Sequence, residues 1–167
     1  VPQKDFHLFI EIIEELKKDF SELKVVLLGS GYQEKELRKF AKEKNLEGVI
    51  EFAGSVEHKK LKEYLSSSKV FLLTSKYEGW GLVCIEASMA GLPVVMSNTG
   101  CAGEVIVNNK SGFVCEIGAK EEFRLKLTQY LKSNDLRRKH SSQAKKYCEK
   151  NLTTKELQEK WVNFLNG

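Results

Sequence analysis

Two glutamates are the residues of this sequence whose type and spacing point most directly to chemistry. Glu78 lies in a glycine-containing turn, and Glu86 follows after seven intervening residues, just past the first turn of a predicted helix. Free backbone N–H groups and the dipole at a helix start attract an anion such as a phosphate. Because a carboxylate repels a phosphate, we expect both glutamates to accept hydrogen bonds from hydroxyl groups, as in sugar and ribose recognition. The alternative is that both are solvated surface residues beside an ordinary turn.

The segment around the glutamates predicts a strand, a tight turn, a helix and a second strand. An apolar run at 70–73 predicts a buried strand, and an apolar segment at 82–90 predicts a helix. Gly79 and Gly81 lie between the two, and because they lack Cβ atoms they would let a phosphate approach the backbone closely. The next strand is predicted at 94–96. This unit places a helix start at the carboxyl edge of a parallel sheet.

The same region resembles the signature of a known enzyme family. The run Glu-Gly-Trp-Gly-Leu-Val-Cys-Ile-Glu-Ala at 78–87, followed by Ala-Gly-Leu-Pro-Val-Val at 90–95, is similar to the pattern of glycosyltransferase family 4. Members of that family are retaining enzymes with two Rossmann-like domains, the GT-B fold, that transfer a sugar from a nucleotide diphosphate sugar. The whole run is far more specific than a pair of glutamates, so it favours a functional site over a surface turn.

The resemblance implies a role for each part of the site. Glu78 would hold the hydroxyl groups of the donor sugar, and Glu86 would hold the ribose. The helix start at Gly81 and Leu82, together with Lys4, would stabilise the charge of the leaving diphosphate without a metal ion. The implied catalytic residues are therefore Glu78 and Lys4. The implied donor-binding residues are Gly79, Trp80, Gly81, Leu82, Glu86, Gly31, Ser55 and Val56.

Two further loops enter the implied site. Gly31 ends a Gly-Ser-Gly turn after a strand predicted at 24–28, where the family has a similar Gly-x-Gly. The other interpretation of this turn is a strand-to-helix connection that needs unusual backbone dihedral angles. Ser55 and Val56 follow a strand predicted at 49–52, in the loop that lines the base pocket of the family, largely through backbone groups.

A third glycine-containing loop departs from the family pattern. The family commonly has Gly-Gly, two variable residues and Glu, opening a short helix. This chain has Gly100, Cys101 and Glu104, so the second glycine is replaced. The departure leaves the functional role of this loop open, and the alternative for Glu104 is that it complements a helix dipole.

The remaining hydrophobic pattern predicts a parallel α/β fold. Strands alternate with helices, which favours a Rossmann-like parallel sheet with helices on both faces. Leu125, Leu127 and Leu131 are expected to face the sheet, and Trp161 and Phe164 give the last helix an apolar face. The other predicted helices span 5–20, 33–44, 58–67, 120–132, 135–150 and 153–165, and a last strand spans 113–115.

Composition narrows the class of protein. The chain has 167 residues, of which 41% are apolar and 30% charged, with a net charge of +4, values typical of one soluble globular domain. It has four widely spaced cysteines, no Cys-x-x-Cys pair and three histidines. We therefore expect no metal site and a reduced, cytoplasmic compartment, with peripheral contact at the inner face of a membrane as the alternative for a full-length enzyme.

The resemblance covers nearly the whole chain and matches the C-terminal, donor-binding half of such an enzyme. The first strand of that half, an arginine after it and the N-terminal acceptor-binding domain are expected to be absent, so the chain should bind a nucleotide sugar but transfer no sugar alone. The expected substrate is a nucleotide diphosphate sugar, with UDP-sugar slightly favoured, no separate cofactor and no nucleic acid. The expected acceptor is a glycan or a lipid-linked molecule, as in polysaccharide biosynthesis. Two alternatives stay open, a sugar-nucleotide epimerase on the same fold and a non-catalytic interaction module.

Overall fold

The computed structural model describes residues 2–152, and the helix predicted at 153–165, with Trp161 and Phe164, lies outside them. Every other helix and strand predicted from the sequence is present, with each boundary within two residues of its predicted position. In chain order the elements are a 3-10 helix (Pro2–Lys4), α1 (Phe6–Asp19), β1 (Val25–Leu28), α2 (Glu34–Glu43), β2 (Ile50–Gly54), α3 (His58–Ser67), β3 (Phe71–Leu73), α4 (Leu82–Met89), β4 (Val94–Ser97), β5 (Phe113–Cys115), α5 (Lys120–Lys132) and α6 (Asn134–Asn151).

All strand pairs in the described residues are parallel, but the strands form two sheets and not one. β1 pairs with β2, and β4 lies between β3 and β5. Because each pairing is parallel, the carboxyl ends of the strands in a sheet share one edge. The loops that carry the predicted site residues leave from those edges.

Helices cover both faces of the strands, as the sequence predicts. One apolar cluster joins α1, α2 and α5 to residues of all five strands, including Leu27, Val95 and Phe113. A second cluster joins α3, α4 and α6 to the opposite side of β3 and β4, including Leu73, Val94 and Met96. Strands buried on both faces carry continuous apolar runs, which is why Val94, Val95 and Met96 are all apolar.

β1 and β3 are less buried than the central strand β4. Every residue of β4 is buried, whereas β1 and β3 each have one buried residue and are otherwise half-buried. Each of these two strands is hydrogen-bonded to a strand on one side within residues 2–152. The helix α1, which packs against both α2 and α5, spans the face between the two sheets. Within residues 2–152, β1 and β3 are therefore edge strands of their sheets.

The start of the described chain is fixed beside the carboxyl end of β3. The Thr74 hydroxyl donates to the carbonyl oxygens of Lys4 at 3.0 Å and Asp5 at 3.1 Å. The backbone N–H of Lys76 donates to the Gln3 carbonyl at 2.7 Å. Asp5 caps α1 by accepting from the Leu8 N–H at 3.5 Å. Lys4 is thereby held at the edge where the loop after β3 begins.

The prediction that Leu125 on α5 faces the sheet is wrong. Leu125 is 48% exposed, whereas Leu127 is buried and Leu131 packs partly against the core. The buried face of α5 is formed by Phe123, Leu127 and Tyr130, which follow the spacing of a helix face. Leu125, two residues after Phe123, falls on the opposite side of the helix.

No helix within residues 2–152 is both long enough and apolar enough to cross a membrane.

The buried pair Tyr130 and His140 makes stability depend on pH. The Tyr130 hydroxyl lies 2.7 Å from Nδ1 of His140, which is 2% exposed, and burial lowers the pKa of this histidine. The unfolded chain, with a histidine pKa of about 6.5, then binds more protons than the folded chain as the pH falls through that value. We expect the free energy of unfolding to decrease between about pH 7 and pH 5 in urea titrations.

The variant His140→Gln removes this pH-dependent contribution to the free energy of unfolding. The variant should therefore be less stable than the parent by a smaller amount at pH 5 than at pH 7. The parent chain, titrated under the same conditions, is the reference at both pH values. An equal loss at both pH values in His140→Gln would contradict the assignment.

Candidate functional site

The turn after β3 leads directly into the start of α4. Gly81 is the N-cap residue of α4, with φ 77° and ψ 50°, in the left-handed region that favours glycine. It makes no side-chain capping hydrogen bond. The first N–H groups of α4, beginning at Leu82, are therefore without a side-chain cap and are oriented to bind an anion.

Glu78 lies in this turn as a nearly buried carboxylate with two donors on one oxygen. Lys4 Nζ lies 2.6 Å from Glu78 Oε1, and the Ser75 hydroxyl donates to the same oxygen at 2.6 Å. The Glu78 side chain is 10% exposed and the Lys4 side chain 36% exposed. A charge this well buried needs such partners to offset its lost hydration. The resemblance implied both Lys4 and Glu78, but their contact and the part of Ser75 were not predicted.

The loop after β4 holds the backbone of the turn. The Glu78 N–H donates to the Thr99 hydroxyl oxygen at 3.0 Å. Gly100 has φ 57°, and a Cβ atom at this position would lie 2.9 Å from both the Glu78 Cβ and the Trp80 carbonyl oxygen. The loop can approach this closely only with glycine at 100. Thr99 was missed by the sequence analysis, because its partner is 21 residues away and no local pattern marks it.

Cys101, which replaces the second glycine of the family pattern, packs beneath the start of α4. Its Sγ would lie 3.9 Å from a Cβ atom placed on Gly81. The thiols of Cys84 and Cys101 share a hydrogen bond, which together with burial raises the pKa of Cys84 well above its usual range. Both thiols are fully buried, so they are packing residues and not exposed nucleophiles.

Glu104 opens no helix in this chain, unlike the pattern common in the family. The described segment forms turns, with a bridge between Ala102 and Ile106. The Cys101 carbonyl accepts from three successive N–H groups, those of residues 104–106, and Gly103 has φ 83°, so the chain turns back. The Glu104 carboxylate accepts from the Tyr147 hydroxyl on α6 at 3.4 Å.

Glu86 lies one turn along α4 from Leu82, on the same helical face. Leu82 is 52% exposed and Glu86 is half-buried. Within residues 2–152 the Glu86 side chain makes no hydrogen bond or ion pair, so it is not joined to the Lys4 and Glu78 pair. Its carboxylate is available to accept hydrogen bonds from a ligand that lies across the start of α4.

The other predicted site residues follow β1 and β2. Gly31 and Ser55 are exposed and Val56 is half-buried, at the carboxyl edge of that sheet. The unusual dihedral angles of these loops belong to Gly29, with φ 113°, and Gly54, with φ 67°. The Gly-Ser-Gly turn thus has the conformation that the alternative interpretation predicts, and no hydrogen bond in the described residues connects it to Glu78.

Gly79 differs from Gly81 and Gly100. Its φ lies outside the left-handed region, it is exposed, and a Cβ atom on it would touch nothing within 4 Å. The fold therefore does not require glycine at this position. An exposed glycine at position 79 does leave the backbone of the turn open to close approach by a ligand.

Large apolar side chains are exposed where the strands end. Tyr32 follows β1, Tyr77 and Leu82 follow β3, and Ile117 follows β5, with exposures of 77%, 66%, 52% and 47%. Scattered exposed apolar residues are ordinary, but these four belong to loops or helix starts at the carboxyl ends of strands. Among the described residues, no group of three or more His, Cys, Asp or Glu side chains is arranged to hold a metal ion.

Comparison with known proteins identifies the family. The family model described as glycosyl transferases group 1 matches residues 1–147, so the chain belongs to that family. A poly(ribitol-phosphate) alpha-N-acetylglucosaminyltransferase of Staphylococcus aureus is 29% identical over the whole chain, which spans 34% of its length. An amylovoran biosynthesis glycosyltransferase of Erwinia amylovora is 30% identical over 98% of the chain, which spans 45% of its length.

A solved structure agrees with the predicted architecture. A mutant of TarM from Staphylococcus aureus, crystallised with fondaparinux, alpha-GlcNAc-glycerol and UDP, is 29% identical and superposes with a TM-score of 0.90. The match covers 100% of this chain and 34% of TarM. The Rossmann-like α/β fold predicted from the sequence is confirmed, and the chain spans about a third of the length of this relative.

The packing of Gly100 against the turn predicts a specific loss of stability. Gly100→Ala adds both left-handed strain, about 1–2 kcal/mol, and a clash with the Trp80 carbonyl oxygen. Gly103→Ala is the matched control in the same loop, because its φ is 83° but nothing lies within 4 Å of the added Cβ. In urea unfolding, Gly100→Ala should lose clearly more stability than Gly103→Ala. Equal losses would show that the loop does not press on the turn.

Proposed function

We propose that this chain is the C-terminal, donor-binding domain of a retaining glycosyltransferase of family 4. Its substrate is a nucleotide diphosphate sugar, with UDP-sugar favoured, and the acceptor is a glycan or a lipid-linked molecule. The observation that carries the proposal is the pairing of Lys4 and Glu78 at 2.6 Å beside the uncapped start of α4. The names of the relatives support it, since one is an N-acetylglucosaminyltransferase and TarM was crystallised with UDP.

The arrangement suits departure of a diphosphate. As the bond between the anomeric carbon and the diphosphate breaks, negative charge develops on the leaving group and positive charge on the sugar. The N–H groups at Gly81 and Leu82 and the Lys4 ammonium stabilise the leaving group. Glu78 accepts hydrogen bonds from sugar hydroxyls, and Glu86 accepts them from the ribose. The two carboxylates are not a glycosidase pair, because Glu86 faces the nucleotide in this scheme and not the anomeric carbon.

The other loops complete the donor site in this proposal. Gly79 and Trp80 line the turn beside the phosphates, Gly31 approaches them from the loop after β1, and Ser55 and Val56 border the base. Their support is the location of Gly31, Ser55 and Val56 at the carboxyl edge of their sheet, where ligands of parallel α/β folds bind.

The proposal assigns acceptor binding to a domain outside this chain. The unpaired edges of β1 and β3 within residues 2–152 support a further strand before α1, because a crossover helix such as α1 normally follows a parallel strand of the same sheet. The exposed apolar residues that follow β1, β3 and β5 support a partner surface at this edge. The chain alone then binds the donor and transfers no sugar. We place the full-length enzyme in the cytoplasm, with peripheral contact at the inner face of a membrane.

A panel of nucleotides tests the proposal directly. Calorimetry with UDP, GDP and ADP should give binding of at least one of them, with UDP preferred. A non-catalytic interaction module should bind none. An epimerase on the same fold would bind a sugar nucleotide but, in a product assay on the full-length protein, would release an altered sugar nucleotide and no glycoside.

The role of Glu86 gives a prediction of its own. Glu86→Ala should weaken UDP and UDP-sugar equally, because the ribose is common to both. The expected loss is about 1.5–3 kcal/mol for a hydrogen bond to a charged group, or roughly ten- to a hundredfold in dissociation constant. Glu63→Ala, on the exposed part of α3, is the matched control and should not change either affinity. Circular dichroism would verify folding, and unchanged UDP affinity in folded Glu86→Ala would remove the ribose assignment.

Metal independence is the remaining expectation for this site. Lys4 and the start of α4 supply positive charge where many nucleotide sites use a divalent cation. UDP affinity should therefore be the same with and without a chelator. A large loss with chelator that magnesium or manganese restores would contradict this prediction.

A further inference from the structure

The ion pair of Lys4 and Glu78 joins two residues to which the proposed function gives different partners. Lys4 contacts the diphosphate of the donor and Glu78 contacts the sugar, yet Lys4 Nζ lies 2.6 Å from Glu78 Oε1. We propose that Glu78 and the diphosphate compete for Lys4, so that the site discriminates between an intact sugar nucleotide and a free nucleotide diphosphate. This inference rests on the proposed function and describes how the same site distinguishes substrate from product.

Both members of the pair are attached to fixed backbone. The Lys4 carbonyl accepts from the Thr74 hydroxyl at 3.0 Å, and the Glu78 N–H donates to Thr99 at 3.0 Å. Gly100 packs against the Glu78 Cβ from the other side. The Glu78 carboxylate stays bonded to the Ser75 hydroxyl in the turn, whereas the flexible lysine side chain, which is 36% exposed, can turn toward a phosphate.

Losing Lys4 is costly for Glu78. Its side chain is 10% exposed, and in the described residues Oε1 would keep one donor, the Ser75 hydroxyl. Lys76, two residues before Glu78, is engaged elsewhere, because its Nζ lies 3.2 Å from the Asp5 carboxylate. Hydroxyl groups of a sugar replace the missing donor, but a free nucleotide diphosphate has none to offer at this position. Binding of the sugar nucleotide therefore leaves the Glu78 carboxylate with more hydrogen-bond donors than binding of the free diphosphate does, and its free-energy cost is smaller.

The variant Glu78→Gln separates competition from simple sugar contact. It keeps the size of the side chain and an oxygen that accepts from Ser75, but it removes the charge that holds Lys4. UDP should bind about two- to fivefold more tightly, as expected for release of one partly exposed ion pair. UDP-N-acetylglucosamine should gain less than UDP or lose affinity, so the ratio of the two dissociation constants shifts toward UDP. A residue that only contacts the sugar would leave UDP affinity unchanged.

The same substitution in a Lys4→Ala background completes a double-mutant cycle. Without Lys4 there is nothing to compete for, so Glu78→Gln should no longer tighten UDP binding. Glu14→Gln is the control for a change of charge. Glu14 lies more than two turns after the start of α1, and its carboxylate pairs with Lys44 at 3.1 Å. This control variant should leave UDP affinity unchanged.

A second variant, Ser75→Ala, keeps Glu78 and is expected to change UDP affinity in the opposite direction. Ser75→Ala removes the other donor to Oε1, so Glu78 holds Lys4 more strongly and UDP should bind about threefold more weakly. An unchanged or weaker UDP affinity in Glu78→Gln, an equal gain with and without Lys4, or tighter UDP binding in Ser75→Ala would each overturn the competition. If the parent chain binds no nucleotide, the proposed function itself fails, and that result is distinct from any of these.

Discussion

The burial of one carboxylate is the constraint on which the rest of the site depends. Glu78 is 10% exposed at the end of β3, and a charge removed from water must be offset by donors within hydrogen-bond distance. Lys4 and Ser75 supply them, both on Oε1. Because Lys4 precedes α1 and Ser75 follows β3, satisfying this carboxylate draws two separate segments to one edge of the strands, and Thr99, after β4, adds a third by accepting from the Glu78 backbone N–H.

The architecture supplies the rigidity that such a cluster needs. Parallel strands end at a common edge, and helices on both faces bury the strands so that their ends cannot shift independently. Beneath the turn, the buried thiols of Cys84 and Cys101 fill the space under the start of α4. The glycine lost from the family pattern at 101 is therefore occupied by a packing side chain, while Gly100, which touches the turn, is kept.

The local elements could be predicted because their signals are local. Apolar runs, helical spacing and the glycines at 79 and 81 predict β3, α4 and the turn between them, and the boundaries agree within two residues. The differences from the expectations also have local causes. Leu125 falls on the outer face of α5, two residues after the buried Phe123. Glu104 lies in a segment that turns back on the Cys101 carbonyl, where the family pattern has a short helix.

The sequence by itself determined the secondary structure, the parallel α/β class and the stretch from Glu78 to Glu86, because periodicity and glycine spacing act over a few residues. Only the tertiary structure decided which side chains meet there. Lys4 and Glu78 are 74 positions apart, and Glu78 and Thr99 are 21 apart, so their contacts depend on the order of the strands and on where each one ends. The division of the strands into two sheets has the same origin, since hydrogen bonding between strands is set by their neighbours in space and not by the residues along each strand.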